Sequence, residues 1–388
     1  MRKLSPGYYV NGKREKARKF VMEGTYDEKV PWESFQFSKV EMQFGPSSGI
    51  ELALESAIDA GAESIGFIAK RRYLETLEKL RAKPSFIQNL GTKRRIATFS
   101  KIEQHVPNEV AVSAQSFATS NQIDAIVVVG GGSAVGTGKV MALALADQRP
   151  FIAVPTTFSG SEMTPIYGVT TKGNKVTTRD ERVRPTKVIY DRSLLQSLPP
   201  SIAIASVANA FAHACEALWV PTASRTSSIF ARGALEALAV GLKDVTSAPT
   251  FMEGLFDAGG ALDEITYGAA MAGMAFGHTG SGIHHKICHL IGGAYNLDHA
   301  NTHMIVGKAL LPEVADLYSS RDAESIRQIT ECFGKLMDAY ELPKTLVEIG
   351  LDTSLKPSLI SEVEELSRRV TPSLEPDRIR RLFEQITG

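Results

Sequence analysis

The sequence has few cysteines and no excess of charge of either sign. Its three cysteines, Cys215, Cys288 and Cys332, are too few and too far apart in the chain to form a disulfide framework. This usage is typical of a reducing compartment, so we expect a cytoplasmic protein. The 43 Lys and Arg residues balance 43 Asp and Glu residues. A chain without net charge has no overall field to attract a nucleic acid or an anionic membrane, and we expect neither as a partner.

Long apolar runs are also missing. The most apolar stretch, residues 202–220, is interrupted by Asn209, His213 and Glu216, whereas a membrane-spanning helix needs about 20 mostly apolar residues. The N-terminal residues are rich in Lys and Arg but contain no apolar core. This pattern favours a solvated extension over a targeting peptide.

The composition and the order of apolar runs indicate two kinds of structure in one chain. With 388 residues, of which 43% are hydrophobic, the chain has the size of a folded enzyme with about two domains. Four short apolar runs, at 64–69, 95–99, 125–129 and 151–155, predict buried strands of a parallel sheet covered on both faces. After Leu198-Pro199-Pro200 only Ala- and Leu-rich segments with helical spacing follow. We therefore predict an N-terminal extension at 1–38, an α/β domain at 39–197 and an all-helical domain at 198–388.

A glycine-rich turn follows the third predicted strand. Gly130-Gly131-Gly132-Ser133 stands between that strand and a helical stretch. Without β-carbons the backbone N–H groups can approach a phosphate closely, and a helix N-terminus adds partial positive charge. The spacing matches neither the Rossmann nor the P-loop fingerprint. The turn is therefore either a diphosphate cradle or a plain tight turn.

Hydroxyl side chains follow the fourth predicted strand. Pro155-Thr156-Thr157 ends this strand, and open α/β sheets bind their ligands at the carboxyl ends of strands. The alternative is a Ser/Thr-rich loop that caps the next segment. Two polar strand ends in succession favour a shared ligand.

Histidines are concentrated in the part predicted to be helical. Of the 8 histidines, all but His105 lie from His213 onward. Three pairs stand four residues apart, as neighbours on one helix face do: Asn209 and His213, His285 and His289, His299 and His303. Imidazoles that converge from separate helices can bind a divalent metal or act as acids and bases near neutral pH. A single such histidine is usually a core residue, but two clusters favour a functional site.

Together these motifs resemble the iron-containing alcohol dehydrogenase superfamily, and within it the maleylacetate reductase branch. The resemblance is carried by the glycine turn, Pro155-Thr156-Thr157, the Asn209/His213 helix and Gly282-Ile283-His284-His285-Lys286-Ile287-Cys288-His289 with His299 downstream. It implies a dehydroquinate-synthase-like α/β nucleotide-binding domain, an all-helical C-terminal domain, a nicotinamide cofactor between them and a homodimer.

The resemblance also implies roles for individual residues. Gly131, Gly132 and Ser133 would face the pyrophosphate, Thr156 and Thr157 the adenosine side, and Lys175 the nicotinamide ribose. The superfamily's metal ligands correspond to Asn209, His213, His285 and His299, and His289 corresponds to a histidine near the nicotinamide.

Asn209 stands where the wider superfamily has Asp. Loss of the only anionic ligand weakens a divalent metal site, so we predict catalysis without a bound metal. The implied reaction is reduction by NADH or NADPH of the activated C=C bond of maleylacetate, or of a similar small anionic substrate. His289 or His285 would donate the proton, and His213 and His299 would orient the substrate.

Positive charges suggest where anions would bind. Lys70-Arg71-Arg72 follows the first predicted strand, where cations would suit a 2′-phosphate, so we expect NADPH to be accepted alongside NADH. Lys286 and Arg179 are candidate partners of substrate carboxylates. Between residues 151 and 192 basic residues outnumber acidic ones, which predicts a locally cationic cleft.

Three other functions stay open at this stage. Ser47, Thr178 and Asp298 depart from the residues expected in the superfamily pattern, near the cofactor and substrate edges. The same histidines could therefore serve a non-redox lyase, dehydratase or isomerase. A metal-dependent alcohol dehydrogenase is disfavoured by Asn209, and an inactive binding homologue by the intact histidine clusters.

Overall fold

A computed structural model describes residues 8–10, 13–15, 40–145, 149–171, 174–256, 260–295, 297–314, 317–370 and 373–388. Residues 1–36 and 37–388 form two compact units. In the first unit, strands β1 (Tyr8–Val10) and β2 (Lys13–Glu15) pair antiparallel. The predicted boundaries 1–38, 39–197 and 198–388 stay predictions.

The second unit begins with a parallel sheet of six strands in the order β3-β10-β7-β6-β4-β5. Its strands are β3 (Glu41–Gly45), β4 (Ser64–Ala69), β5 (Arg95–Phe99), β6 (Ala125–Gly130), β7 (Phe151–Pro155) and β10 (Lys187–Asp191). All four predicted strands are confirmed. A separate antiparallel pair is formed by β8 (Ile166–Thr171) and β9 (Asn174–Arg179).

Helices cover both faces of the sheet because its central strands are apolar on both sides. Val127 and Val129 of β6 belong to one core cluster, and the alternate residues Ile126 and Val128 belong to another on the opposite face. The helices of this part are α1 (Gly49–Asp59), α2 (Arg71–Arg81), α3 (Pro84–Leu90), α4 (Asn108–Ser120), α5 (Gly132–Ala142) and α6 (Arg192–Gln196). The predicted α/β fold class is confirmed.

Beyond Leu198 the part of the chain that the structure describes contains helices and short turns but no strand, as predicted. The helices are α7 (Pro200–Trp219), α8 (Arg225–Ser247), α9 (Phe251–Phe256), α10 (Ala261–Thr279), α11 (Ile283–Tyr295), α12 (His299–Glu313), α13 (Ser320–Ala339), α14 (Lys356–Arg368) and α15 (Pro376–Thr387). The helical part starts at the proline pair because Pro200 occupies the first turn of α7, where a missing N–H costs no helical hydrogen bond.

Helix α7 is the centre of the helical part. By length and composition alone it could cross a membrane, with a mean hydropathy of 1.3, but 78% of its most apolar window is buried inside the protein. Its apolar residues pack in one cluster with residues of α8, α10 and α13. Such burial is typical of a core helix.

Two glycines allow the loop after β7 to pack closely against helix α10. Gly160, in the loop after β7, has a φ of +67°, and a Cβ on Gly273 of α10 would lie 2.3 Å from the carbonyl oxygen of Gly160. Only glycines allow this approach of loop and helix. The loop that follows β7 is therefore held directly against the helical part.

Candidate active site between the glycine turn and the histidine helices

A cavity of about 430 Å³ lies at the carboxyl ends of β4, β6 and β7 and extends to α7, α11 and α12. It has two walls. The sheet wall includes Gly131, Gly132, Ser133, Thr156 and Thr157, and the helical wall includes Asn209, His213, His285, His289 and His299. The structure thus places ten of the predicted site residues around one cavity, although their roles stay predictions.

The glycine turn of the sheet wall is shaped by close contacts. Gly130 has a φ of +153°, and a Cβ on Gly131 would lie 2.8 Å from the Cγ2 atom of Thr157. Among the side chains that the structure describes, none caps the N-terminus of α5, which begins at Gly132. Backbone N–H groups and the helix dipole are therefore directed at the cavity, as binding of a diphosphate requires.

Lys175 is the one predicted cofactor residue outside the described side chains. Its backbone lies in β9 opposite Thr170 of β8. Thr177 of the same strand lines the cavity together with Tyr167 and Gly168 of β8.

A buried lysine supports the sheet wall from behind. The ammonium nitrogen of Lys139, a fully buried residue of α5, donates to the carbonyl oxygens of Ser161 and Ile166 at 2.7 Å each and to Oγ1 of Thr164 at 2.8 Å. Burial lowers the pKa of Lys139 to about 7. Its three oxygen partners and the neighbouring Glu162 carboxyl favour the charged ammonium and oppose the effect of burial.

Lys139 has a buried acidic neighbour. The hydroxyl of Tyr190 donates to Oε1 of Glu162 at 2.9 Å. Burial raises the pKa of the Glu162 carboxyl, and the charge of Lys139 opposes this rise. Lys139 thus holds the loop after β7 and the start of β8, and its partners Ser161, Thr164 and Ile166 all line the cavity. Sequence reasoning missed this residue, although a lysine within a small-residue helix was a visible signal.

The helical wall is a chain of imidazole contacts. The rings of His213 and His285 stack at 4.7 Å, and both lie against Phe276. The ring of His299 lies 6.0 Å from that of His289 and 5.0 Å from that of His105. His105 also lines the cavity. It was not predicted as a site residue because it lies far in sequence from the other histidines.

Two further histidines lie behind the wall, with no exposed surface. The ring of His303 is 4.3 Å from that of His299, 4.6 Å from that of His285 and 5.0 Å from that of His284. His303 therefore connects the contacts of α11 with those of α12. Its spacing from His299 was noted in the sequence, but its central position was not predicted.

Buried imidazoles of this wall are neutral. Burial lowers the pKa of His213 to about 3 and that of His285 well below its ordinary value. Nδ1 of His285 lies 2.6 Å from Oε2 of Glu216, a buried residue of α7 whose pKa burial raises to about 7. His213 and His285 can therefore act as neutral imidazoles towards a ligand but supply no imidazolium charge.

The four positions that correspond to the superfamily's metal ligands do not fit a divalent ion as arranged. An imidazole binds a metal in the plane of its ring, but the planes of His213 and His285 are stacked with only 12° between them, so a single ion cannot lie in both. Asn209 supplies a neutral amide oxygen, and its Nδ2 donates to the carbonyl oxygen of Ser159 at 3.3 Å. The set contains no anionic donor.

Positive charge at the cavity comes from one of the two basic segments noted in the sequence, Lys70-Arg71-Arg72, and not from residues 151–192. Lys70 and Arg72 line the cavity, and the Arg72 guanidinium lies 4.5 Å from the ring centre of Tyr73. The candidate carboxylate partners Arg179 and Lys286 are not among the lining residues. Within the basic segment, Arg182 pairs with Asp180 and Arg184 with Glu181. Those cations are neutralised locally, so the prediction of a cationic cleft from residues 151–192 was wrong for the described side chains.

Known proteins share this architecture along nearly the whole chain. Residues 70–192 match the iron-containing alcohol dehydrogenase family, and residues 203–363 match the C-terminal part of the Fe-containing alcohol dehydrogenase family. A solved iron-containing alcohol dehydrogenase from Corynebacterium glutamicum has a TM-score of 0.75 and 30% identity, covering 92% of this chain and 98% of that chain. The chain therefore belongs to the iron-containing alcohol dehydrogenase family, and it is an oxidoreductase.

Within the family, this chain is similar to maleylacetate reductases. The maleylacetate reductase of Burkholderia cepacia is 36% identical over 267 residues, which are 66% of this chain and 72% of that protein. The solved maleylacetate reductase from Rhizobium sp. strain MTP-10005 has a TM-score of 0.74 and 27% identity, covering 91% of this chain and 97% of that chain. The resemblance stated from the motifs is confirmed.

Proposed function

We propose that the protein reduces the C=C bond of maleylacetate, or of a similar small oxo-dicarboxylate, to 3-oxoadipate with NADH or NADPH and without a catalytic metal. One observation carries the proposal: an uncapped glycine turn and a wall of histidines line the same cavity. The first suits a dinucleotide, and the second offers proton donors to an anionic substrate. The named relatives supply the choice of substrate.

The sheet wall would hold the cofactor. Backbone N–H groups of Gly131, Gly132 and Ser133 would bind the diphosphate at the N-terminus of α5. A reduced nicotinamide bound there supplies a hydride. Lys70 and Arg72, after β4, would lie near the adenosine ribose and accept a 2′-phosphate, so we propose that NADPH is used as well as NADH.

The helical wall would stabilise charge and deliver the proton. Hydride addition to the activated alkene of maleylacetate moves negative charge onto the conjugated carbonyl oxygen, and the resulting enolate takes up a proton at carbon. N–H groups of His213 and His299 would bind the developing oxyanion. His289 lines the cavity and is less buried than His285, so we assign the proton donor to a ring nitrogen of His289.

Two observations support a reaction without metal. The family-equivalent set lacks an anionic ligand, and two of its rings are stacked. Preorganised N–H donors can stabilise an enolate in a site that excludes water, so a Lewis acid is not obligatory.

The first experiment measures binding and turnover separately. Purified protein is titrated with NADH and with NADPH, and the loss of reduced-nicotinamide absorbance is then followed with maleylacetate, before and after prolonged dialysis against a chelator. We expect both dinucleotides to bind and the rate to survive dialysis. Absence of dinucleotide binding would refute the redox function and favour a lyase or isomerase. Loss of the rate after dialysis, with an unchanged circular dichroism spectrum and unchanged dinucleotide binding, would refute the metal-free reaction.

We further propose a cytoplasmic homodimer. The buried, unpaired thiols of Cys215, Cys288 and Cys332 suit a reducing compartment, and the family resemblance supports the dimer. Size-exclusion chromatography with light scattering gives the mass, and a monomer at micromolar concentration would contradict the dimer.

A further inference from the structure

Three histidines behind the cavity wall form a compact group. His284 and His285 of α11 and His303 of α12 each offer one ring nitrogen, and these three atoms lie within 4.8 Å of one another. Their exposed fractions are 0%, 4% and 0%. His284 and His303 are not among the residues that line the cavity, whereas His285 is, so the group lies behind the cavity wall with His285 at the boundary.

The ring geometry of this group suits one shared ion. A metal about 2.0–2.1 Å from an imidazole nitrogen lies about 3.2 Å from the ring centre, so two rings at a tetrahedral angle have centres about 5.2 Å apart. The observed ring centres are 5.1 Å apart for His284 and His285, 5.0 Å for His284 and His303, and 4.6 Å for His285 and His303. The ring planes are inclined by 58° to 83°. Unlike the stacked planes of His213 and His285, inclined planes can meet at one point.

On His284 and on His285, one ring nitrogen has a hydrogen-bond partner and the other has none within the described chain, as is common in metal-binding histidines. On His285, Nδ1 contacts Oε2 of Glu216 at 2.6 Å, and on His284, Nε2 contacts the carbonyl oxygen of His303 at 3.3 Å. The remaining atoms, Nδ1 of His284, Nε2 of His285 and both ring nitrogens of His303, are buried without a hydrogen-bond partner among the described residues. Metal-binding histidines commonly use one nitrogen for the ion and hold the other with a carboxylate or a carbonyl.

We propose that His284, His285 and His303 form a binding site for a divalent transition ion such as Zn²⁺ or Co²⁺, in place of the set Asn209, His213, His285 and His299. Neutral nitrogen ligands suit these ions and disfavour Mg²⁺ and Ca²⁺, which need oxygen ligands. Ion binding joins α11 to α12 and stabilises the folded chain. The ion takes no part in the proposed reduction, so this inference does not depend on the proposed substrate.

The chemistry around the group accommodates the ion. Burial of all three side chains disfavours the charged imidazolium, and only the neutral imidazole has a lone pair free for a metal ion. Oε2 of Glu216 holds Nδ1 of His285 at 2.6 Å, which leaves Nε2 of His285 for the ion. Sγ of Cys288 lies 3.6 Å from Nε2 of His284, which is the nitrogen not assigned to the ion.

The test is Co²⁺ binding to chelator-treated protein, read from visible d–d absorption bands and from the metal content after gel filtration. We expect one Co²⁺ per chain in the unaltered protein, together with a higher thermal unfolding midpoint. His284→Ala and His303→Ala should each weaken Co²⁺ binding at least 100-fold. Asn209→Ala and His299→Ala, which remove members of the alternative set, should leave it within threefold.

Folding of the variants is checked by circular dichroism, and His284→Gln and His303→Gln replace any alanine variant that fails to fold. The inference is overturned if the unaltered protein binds no Co²⁺ or if His303→Gln binds it as tightly as the unaltered protein. Loss of the bands in His299→Ala would also overturn it, in favour of the family-equivalent set. These readouts do not involve catalysis, so failure of the metal site and failure of the proposed reduction are distinguishable.

Discussion

The two walls of the cavity use different parts of the polypeptide. The sheet wall presents backbone N–H groups and hydroxyls, whose positions follow from two short segments at the ends of β6 and β7. The helical wall presents imidazoles from three helices, of which α7 is far in sequence from α11 and α12. Each wall also rests on one buried ionisable residue, Lys139 behind the sheet wall and Glu216 behind the helical wall. We therefore expect the sheet wall to be disrupted by a substitution that adds a side-chain atom to its backbone. The helical wall should be disrupted by a substitution that removes an imidazole.

The largest expected effect concerns the support of the sheet wall. Lys139→Met removes three hydrogen bonds and leaves buried Glu162 without its neighbouring cation, so the free energy of unfolding should fall by about 3–5 kcal/mol. Urea unfolding measures this fall. The control is Lys335→Met, which removes an exposed pair with Glu331 and should cost less than about 1 kcal/mol. Equal losses in the two variants would show that Lys139 does not support the wall.

The helical wall should respond to acid. His213 and His284 have pKa values of about 3 and about 4 in the folded chain, below the value of about 6.5 expected when unfolded. Between these values the two imidazoles bind more protons in the unfolded chain, which lowers stability by about 3 kcal/mol each by pH 4. Glu216, whose pKa is about 7 in the folded chain, offsets about one of these losses. Stability should therefore fall as the pH drops below about 6.5, by on the order of 3 kcal/mol in total by pH 4.

Urea unfolding of chelator-treated protein at several pH values tests this slope, since bound metal would add its own pH dependence. His284→Gln should flatten it. A stability that stays constant between neutral pH and about pH 5 would contradict the burial of neutral imidazoles.

Removal of one imidazole should separate chemistry from binding. His289→Ala should lower kcat for maleylacetate about 100-fold or more, because proton transfer contributes at least that much. The Kd for NADH should change little. His278→Ala, in α10 and outside the cavity lining, serves as the control. A His289→Ala variant with the full rate would exclude His289 as the proton donor.

Addition of one methyl group should disrupt the sheet wall. In Gly131→Ala the new Cβ would lie 2.8 Å from Cγ2 of Thr157, so the turn must shift and NADH should bind at least about tenfold more weakly. Gly45→Ala is the control, because a Cβ there meets nothing within 4 Å. Fluorescence titration gives both Kd values, and unchanged affinity in Gly131→Ala would place the diphosphate elsewhere.

The smallest expected effect concerns cofactor preference. Arg72→Ala should weaken NADPH binding roughly threefold to tenfold more than NADH binding, because only NADPH carries a 2′-phosphate near that guanidinium. The ratio of the two Kd values is the readout, and Arg71→Ala, next in the chain but outside the cavity lining, is the control. An unchanged ratio would remove Arg72 from the adenosine site.

Local pattern was sufficient for several elements. The four apolar runs, the turn after β6 and the proline start of α7 depend on neighbours in the chain, and each lies where the sequence predicts it. The source of the positive charge at the cavity did not follow from local pattern in the same way. The basic residues at 151–192 predict a cationic cleft, but Arg182 and Arg184 pair with acids beside them, and the charge at the cavity comes from Lys70 and Arg72.

By itself the sequence determined the fold class, the glycine turn and the clustering of histidines in the helical half, because strand composition, turn chemistry and helical spacing are local properties. Only the tertiary structure decided which histidines meet. His284 and His303 are ordinary members of their helices until packing of α11 on α12 buries them together, and His105 reaches the wall from the sheet half. Burial and mutual orientation set the charge state and ligating capacity of these groups, and both arise from contacts between distant segments.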